Sequence, residues 1–166
     1  MARNTDNRLL DTGDKFPSLK LNLTQGGTLD VPGSLKAPFK VVLVNRGGWC
    51  PFCTAQLRSF QAHLDKLKEA GIDVVSASTD TKEQAQDLIS KNDLSFAVGY
   101  GANIEEYTKK LGLFYDAAAK VPHLQSAGFV VGPDNNVLVA VYSSGAIGRL
   151  AAPEVIGMVN YIKSEK

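Results

Sequence analysis

The sequence predicts an α/β fold in which helices pack on a mixed central β-sheet, and three observations predict it. Short aliphatic and β-branched runs at residues 39–44, 72–75 and 96–98 alternate with amphipathic helical patterns. Hairpin-turn chemistry stands near both ends, as Gln25-Gly-Gly-Thr28 and as Gly132-Pro-Asp-Asn-Asn136. Between them, residues 41–57 carry an apolar strand through Gly47 and Gly48 into Trp49-Cys-Pro-Phe-Cys53 and on into a helix. That stretch contains both cysteines of the chain.

Taken in order, residues 1–12 are polar and aperiodic and read as a lead-in to a single domain over residues 13–166. Leu19, Leu21 and Leu23 alternate with polar residues, as a half-buried strand does, and residues 29–31 return after the glycine turn, giving an N-terminal β-hairpin. The run at 39–44 is nearly all apolar, which suits a central strand covered on both faces. Leu57, Phe60, Leu64 and Leu67 keep 3-and-4 spacing with charged residues between them, so one helix is expected from the cysteines to Gly71, which suits its C-terminal cap. A strand at 72–75 follows. Asp80 or Thr81 then caps a helix to about Lys91 with Ala85, Leu88 and Ile89 inward. A strand at 96–98, a helix over residues 104–111 ended by Gly112, and an irregular stretch over 113–126 come next. Residues 129–131 and 137–142 pair across the second turn. Pro153 opens a last helix with Val155, Ile156, Val159 and Ile162 on one side. A strand feeding Cys-x-x-Cys at a helix start, then strand–helix–strand and a late hairpin with its helix, fits a thioredoxin-like fold.

Composition narrows the function classes. At 166 residues the chain has a formal net charge of +1, and its basic residues are scattered. No electrostatic hold on nucleic acid or on a membrane surface is expected. No apolar run approaches the roughly 20 residues that span a bilayer. The polar N-terminal residues lack the apolar core of a signal peptide, so a cytoplasmic location is expected. Thiols are kept reduced there, and two cysteines at this spacing suggest redox work or a metal rather than a static staple.

The physical case for redox work rests on Cys50 and Cys53. The unpaired N–H groups of a helix N-terminus carry partial positive charge and favour a thiolate. Pro51 removes no needed donor in the first turn. Cβ atoms three residues apart on a helix are roughly 5–6 Å apart, and a disulfide wants about 3.8 Å, so a modest adjustment would close a Cys50–Cys53 bond. By thioredoxin logic Cys50 is the exposed nucleophile and Cys53, deeper on the helical stripe, the resolving thiol. A zinc site would need four ligands, and only His63 and His123 remain as nitrogen donors. His63 lies ten residues beyond Cys53 on the expected helix, about 15 Å away at 1.5 Å per residue. No metal and no cofactor are expected. Inert buried cysteines are the bland alternative. Trp49 either shields the mouth of the site or packs on the sheet. Pro122 is expected to be an ordinary loop proline, His123 a loop residue and Arg149 a surface charge.

The strand at 41–44 with its glycine turn, Pro-Phe-Cys-Thr-x-Gln-Leu, the strand end Ser76-Ala-Ser-Thr-Asp80 and Leu94-Ser-Phe96 together resemble peroxiredoxins of the alkyl hydroperoxide reductase and thiol-specific antioxidant group. The resemblance covers residues 13–142. It implies a thiol peroxidase acting on a hydroperoxide substrate, re-reduced by an external thiol donor of the thioredoxin type, with a homodimer as a further expectation. It matches the peroxide-attacking cysteine of the Pro-x-x-x-Thr/Ser-x-x-Cys motif to Cys53, and Thr54 and Gln56 to the following Thr-x-Glu. Cys50 stands where that motif has its hydroxyl, and Arg46 where it has its proline. The family's later arginine falls at Ser126 or a neighbour, which leaves Arg46 as the candidate guanidinium. Two other readings remain: a thioredoxin-like protein thiol–disulfide oxidoreductase, and a redox-gated binding protein without turnover.

Overall fold

The apolar run at residues 39–44 is one of the inner strands of a seven-stranded mixed sheet in the computed structural model, which describes residues 8–166. Of the expected lead-in, residues 1–7 lie outside the described residues. In chain order the elements are β1 (Leu19–Leu23), β2 (Thr28–Val31), β3 (Phe39–Val44), α1 (Pro51–Ala62), α2 (Leu64–Glu69), β4 (Ile72–Ala77), α3 (Lys82–Asn92), β5 (Ala97–Tyr100) and α4 (Ile104–Leu111). There follow β6 (Tyr115–Asp116), β7 (His123–Leu124), β8 (Ala127–Val131), β9 (Val137–Tyr142) and α5 (Ala152–Ser164). The strand order is β2-β1-β5-β4-β3-β8-β9. β3, β4 and β5 run parallel, with Val41 opposite Val74 and Val75 opposite Ala97, and the outer strands pair antiparallel.

Each face of the sheet carries its own core because β3 is buried at every position. Val41 and Leu43 point to the side covered by Leu57, Phe60, Leu64 and Leu67 of α1 and α2, Leu88 of α3, and Val155 and Val159 of α5. Val42 and Val44 point to the other side, against Tyr107 and Leu111 of α4, Phe129 and the N-terminal leucines. The helical stripe read from the sequence is therefore the inward face. The helix that bears it is divided at His63, whose backbone (φ −100°, ψ 9°) leaves the helical region while its Nδ1 meets the Ser59 carbonyl at 2.8 Å. Leu64 and Leu67 stay on the core side of the break.

Several boundaries follow local chemistry. Thr81 accepts from the Gln84 N–H while Gln84 reaches back to the Thr81 N–H, a capping box that starts α3. Gly112 ends α4 at φ +71°, where a Cβ would meet the Arg8 carbonyl oxygen at 2.4 Å. The stretch over 113–126 is less irregular than expected, since β6 and β7 pair as Tyr115 with Leu124 and Asp116 with His123. Val121–Pro122 is a trans bond, as expected of a loop proline; the cis bond among the described residues is Val31–Pro32.

Candidate active site

β3 ends at Val44 and the chain turns through residues 45–50 into α1, so Cys50 and Cys53 sit at the carboxyl edge of the parallel strands. The Cys50 N–H donates to the Gly47 carbonyl at 3.0 Å, closing the turn. Cys50 is the N-cap of α1. Its Sγ accepts the Cys53 N–H at 3.4 Å, the role a serine or aspartate oxygen usually plays. The Cys53 Sγ accepts the Arg46 N–H at 3.3 Å. Both cysteines are free, and they are only 0% and 1% exposed. The expectation of an exposed Cys50 beside a buried Cys53 is therefore corrected. As the N-cap, Cys50 turns its sulfur back over the first turn of the helix and under the arginines.

Two guanidiniums converge on the sulfurs. Arg46 Nη1 lies 3.7 Å from Cys50 Sγ, as its place in the turn suggested. Arg149 Nη2 lies 3.1 Å from Cys53 Sγ and 3.7 Å from Cys50 Sγ. Arg149 is thus a site residue and not the surface charge expected. Its placement has a packing cause. Leu150 is buried close to Gly128, where a Cβ would come within 2.9 Å of the leucine, and the Gln56 Nε2 donates to the Leu150 carbonyl at 2.9 Å. With Leu150 pinned to the sheet and to α1, the preceding side chain falls over the cysteines.

The electrostatics separate the two thiols. Burial alone would push Cys50 up, but the Cys53 thiol and N–H, the Arg46 guanidinium and the charge of Arg149 outweigh it, leaving Cys50 below the ordinary thiol value. Burial pushes Cys53 up and its bond to Cys50 adds to that; the Arg46 N–H and Arg149 only partly oppose it. The balance favours the first negative charge of the reduced pair on Cys50, whose sulfur accepts the Cys53 N–H.

Around this centre, Trp49 is half exposed. The Arg46 guanidinium lies 4.9 Å from its ring centroid, and His123 packs edge-on at 4.9 Å between ring centroids. Trp49 therefore stands over the turn rather than against the sheet. His123, expected in a loop, is buried in β7 with its Nδ1 on the Val121 carbonyl at 2.9 Å. His63 stays at the far end of α1, engaged with Ser59. Among the described residues no group of three or more His, Cys, Asp or Glu could hold a metal ion.

A parallel strand that delivers a dithiol to a helix N-terminus, on a mixed sheet closed by a hairpin and helix, defines a thiol protein of the thioredoxin-like fold. The family model described as the AhpC/TSA family matches residues 12–140, and the chain belongs to that family. It is 28% identical over 143 residues to a peroxiredoxin of Chlorobaculum tepidum, covering 82% of this chain and 65% of that protein. It is 29% identical over 132 residues to an alkyl hydroperoxide reductase C of Ferdinandcohnia aciditolerans, covering 79% and 76%. The chain thus spans about two thirds to three quarters of the length of these relatives. Among solved structures, a peroxiredoxin-like protein from Aquifex aeolicus superposes with a TM-score of 0.78 at 17% identity, covering 97% of this chain and 98% of that one. That likeness bears on the fold.

Proposed function

We propose that this protein, over residues 13–166, is a thiol-dependent peroxidase that reduces hydroperoxides through Cys50 and Cys53. The observation that carries the reading is the buried dithiol under two guanidiniums, Arg46 and Arg149, within a peroxiredoxin-family chain. A thiolate attacks one peroxide oxygen, the S–O bond forms as the O–O bond breaks, the attacking sulfur becomes a sulfenic acid, and the second oxygen leaves as water or alcohol once protonated. The other thiol then condenses with the sulfenic acid, releasing water and forming the Cys50–Cys53 disulfide. An external dithiol donor of the thioredoxin type reduces that disulfide and is itself oxidised. The lowered thiol is Cys50, whereas the family match assigns the attack to Cys53, and substitution of each cysteine in turn distinguishes the two.

The thiol–disulfide oxidoreductase reading shares the lowered Cys50 but must bring a protein disulfide onto a sulfur that is 0% exposed. A small peroxide meets less obstruction. A cytoplasmic setting and a homodimer belong to the same proposal; β9 is an edge strand of apolar sequence, with ladder groups suited to a second copy.

Peroxide consumption is the test, with Cys50→Ser and Cys53→Ser variants and mass spectrometry of trapped sulfenic acid. Sulfenic acid on Cys53 in the Cys50→Ser variant supports the family assignment, and on Cys50 in the reciprocal variant it supports the charge assignment. Peroxide decay that neither variant slows, with no sulfenic acid on either thiol, removes the peroxidase reading.

A further inference from the structure

The Asp80 carboxyl touches neither sulfur, yet it is tied to the turn that presents them. Asp80 follows β4, is 5% exposed, and forms no ion pair among the described residues. Its Oδ2 accepts the Gly48 N–H at 2.8 Å. Its own backbone is fixed independently, the N–H on Ser78 Oγ at 3.1 Å and the carbonyl accepting the Gly101 N–H at 2.8 Å. The carboxyl is therefore a rigid post anchored in the sheet edge. The fit against the turn is close: a Cβ at Gly47 would come within 2.9 Å of Asp80 Oδ1, and one at Gly48 within 3.4 Å of Oδ2. On its other side Asp80 lines an open groove of about 420 Å³ with Trp49, Thr54, Gln84 and Lys91.

What the turn holds is the geometry of both thiols. Arg46, immediately before the Gly47–Cys50 turn, gives its N–H to Cys53 and a guanidinium nitrogen to Cys50, and the last residue, Cys50, receives the Cys53 N–H. Its glycine pair is held by an internal bond, from the Cys50 N–H to the Gly47 carbonyl, and an external one, from the Gly48 N–H to Asp80. Removing the external bond leaves the Gly47-Gly48 backbone, the most permissive pair in the segment, restrained from one side only.

We propose that Asp80 is a positioning residue for the thiol pair: by accepting the Gly48 N–H it fixes the Gly47–Cys50 turn and keeps Arg46 and Cys50 in register with Cys53. The inference rests on the reading of Cys50 and Cys53 as the reactive thiols. Burial pushes the Asp80 carboxyl up from the ordinary carboxylate range, the cost of keeping this acceptor away from water.

The test is the pH profile of iodoacetamide alkylation of the reduced protein, a measurement that needs no peroxide. Asp80→Asn keeps an acceptor oxygen for Gly48, and Asp80→Ala does not. Asp80→Ala raises the apparent thiol pKa and, at pH values below the wild-type midpoint, slows alkylation about tenfold, equivalent to a one-unit rise. Asp80→Asn stays within about twofold of the wild-type rate, well under one unit. Asp80→Ser, polar but too short to reach Gly48, repeats the comparison if the alanine variant fails to fold. An unchanged profile in Asp80→Ala (or in Asp80→Ser when that replaces it), or an equal loss in Asp80→Asn, overturns the proposal. A lowered thiol pKa in both the Asn and the Ala variants also overturns it, because Asp80 would then act as a through-space charge. A wild-type protein inert to peroxide overturns the peroxidase reading and leaves this profile legible.

Discussion

Replacing Arg149 by methionine isolates the charge that the tertiary fold brings to the thiols. Methionine keeps an unbranched stem of similar reach, so the packing set by Leu150 and Gln56 is retained while the contacts at 3.1 Å to Cys53 and 3.7 Å to Cys50 disappear. A hydrogen bond to a charged group contributes about 1.5–3 kcal/mol, which corresponds to about 1–2 pKa units at roughly 1.36 kcal/mol each. The sign follows from the direction of the effect. Arg149 lowers Cys53 by a hydrogen bond and by charge and Cys50 by charge, so its loss raises the thiol midpoint and, at pH values below that midpoint, shrinks the thiolate population by up to about 10- to 100-fold. Arg46 stays in place and sets the floor. The assay is the pH dependence of alkylation, followed by single-turnover peroxide reduction at a pH above the new midpoint. Arg149→Lys restores part of the shift, since an ammonium supplies charge but lacks the planar fork by which Nη2 faces both sulfurs while Nη1 donates to the Ala146 carbonyl. An Arg149→Met profile that superposes on the wild type would refute the reasoning, and so would full rescue by high pH alone of a variant whose midpoint has not moved.

Gly47→Ala places a Cβ 2.3 Å from Trp49 Nε1 at a backbone angle of φ +146°. It is expected to displace the indole and slow thiol alkylation; because Trp49 is the only tryptophan, its emission spectrum reports the displacement directly, and an unaltered spectrum contradicts the packing described. Phe60→Ala empties a fully buried position between α1 and the sheet and costs about 3–5 kcal/mol. Thermal denaturation should show a fall of roughly 2–4 °C per kcal/mol for a chain of this size, with a loss under 1 kcal/mol arguing against that core.

The parts of this molecule that were legible in the sequence are those written in short-range periodicity. The 3-and-4 stripe of Leu57, Phe60, Leu64 and Leu67 faces the core, the continuous run at 39–44 is the doubly covered strand, and Thr81 is a cap. The Gln25–Thr28 turn and the hairpin after β8 are likewise local. Cys50, Cys53 and Arg46 lie within eight residues, so their meeting needs only one turn and one helix start. Arg149 is 96 residues from Cys53, in a segment with no periodic pattern, and is carried in by the burial of Leu150. An apolar residue just ahead of the Pro153 helix was the available signal, and it marks an anchor without saying what its neighbour covers. His123 has the same history: two residues of ladder, β6 with β7, are too few for alternation to show. The burial of Cys50 was missed for a different reason, since periodicity places a residue on a face but does not say that an N-cap sulfur will turn inward over its own helix.

The convergence of Arg46 and Arg149 also bears on how willingly the oxidised pair gives up its bond. Guanidiniums that stabilise a thiolate stabilise the reduced form of the couple; once the sulfurs join, the anion is gone and the two cations face a neutral bridge. The equilibrium with a cellular thiol pool is then tilted toward the dithiol, and each roughly 1.4 kcal/mol of thiolate stabilisation raises the reduction potential by about 30 mV. The same two side chains that ready the sulfurs for oxidation therefore make the resulting disulfide a good electron acceptor, which favours a short-lived bond over a structural one.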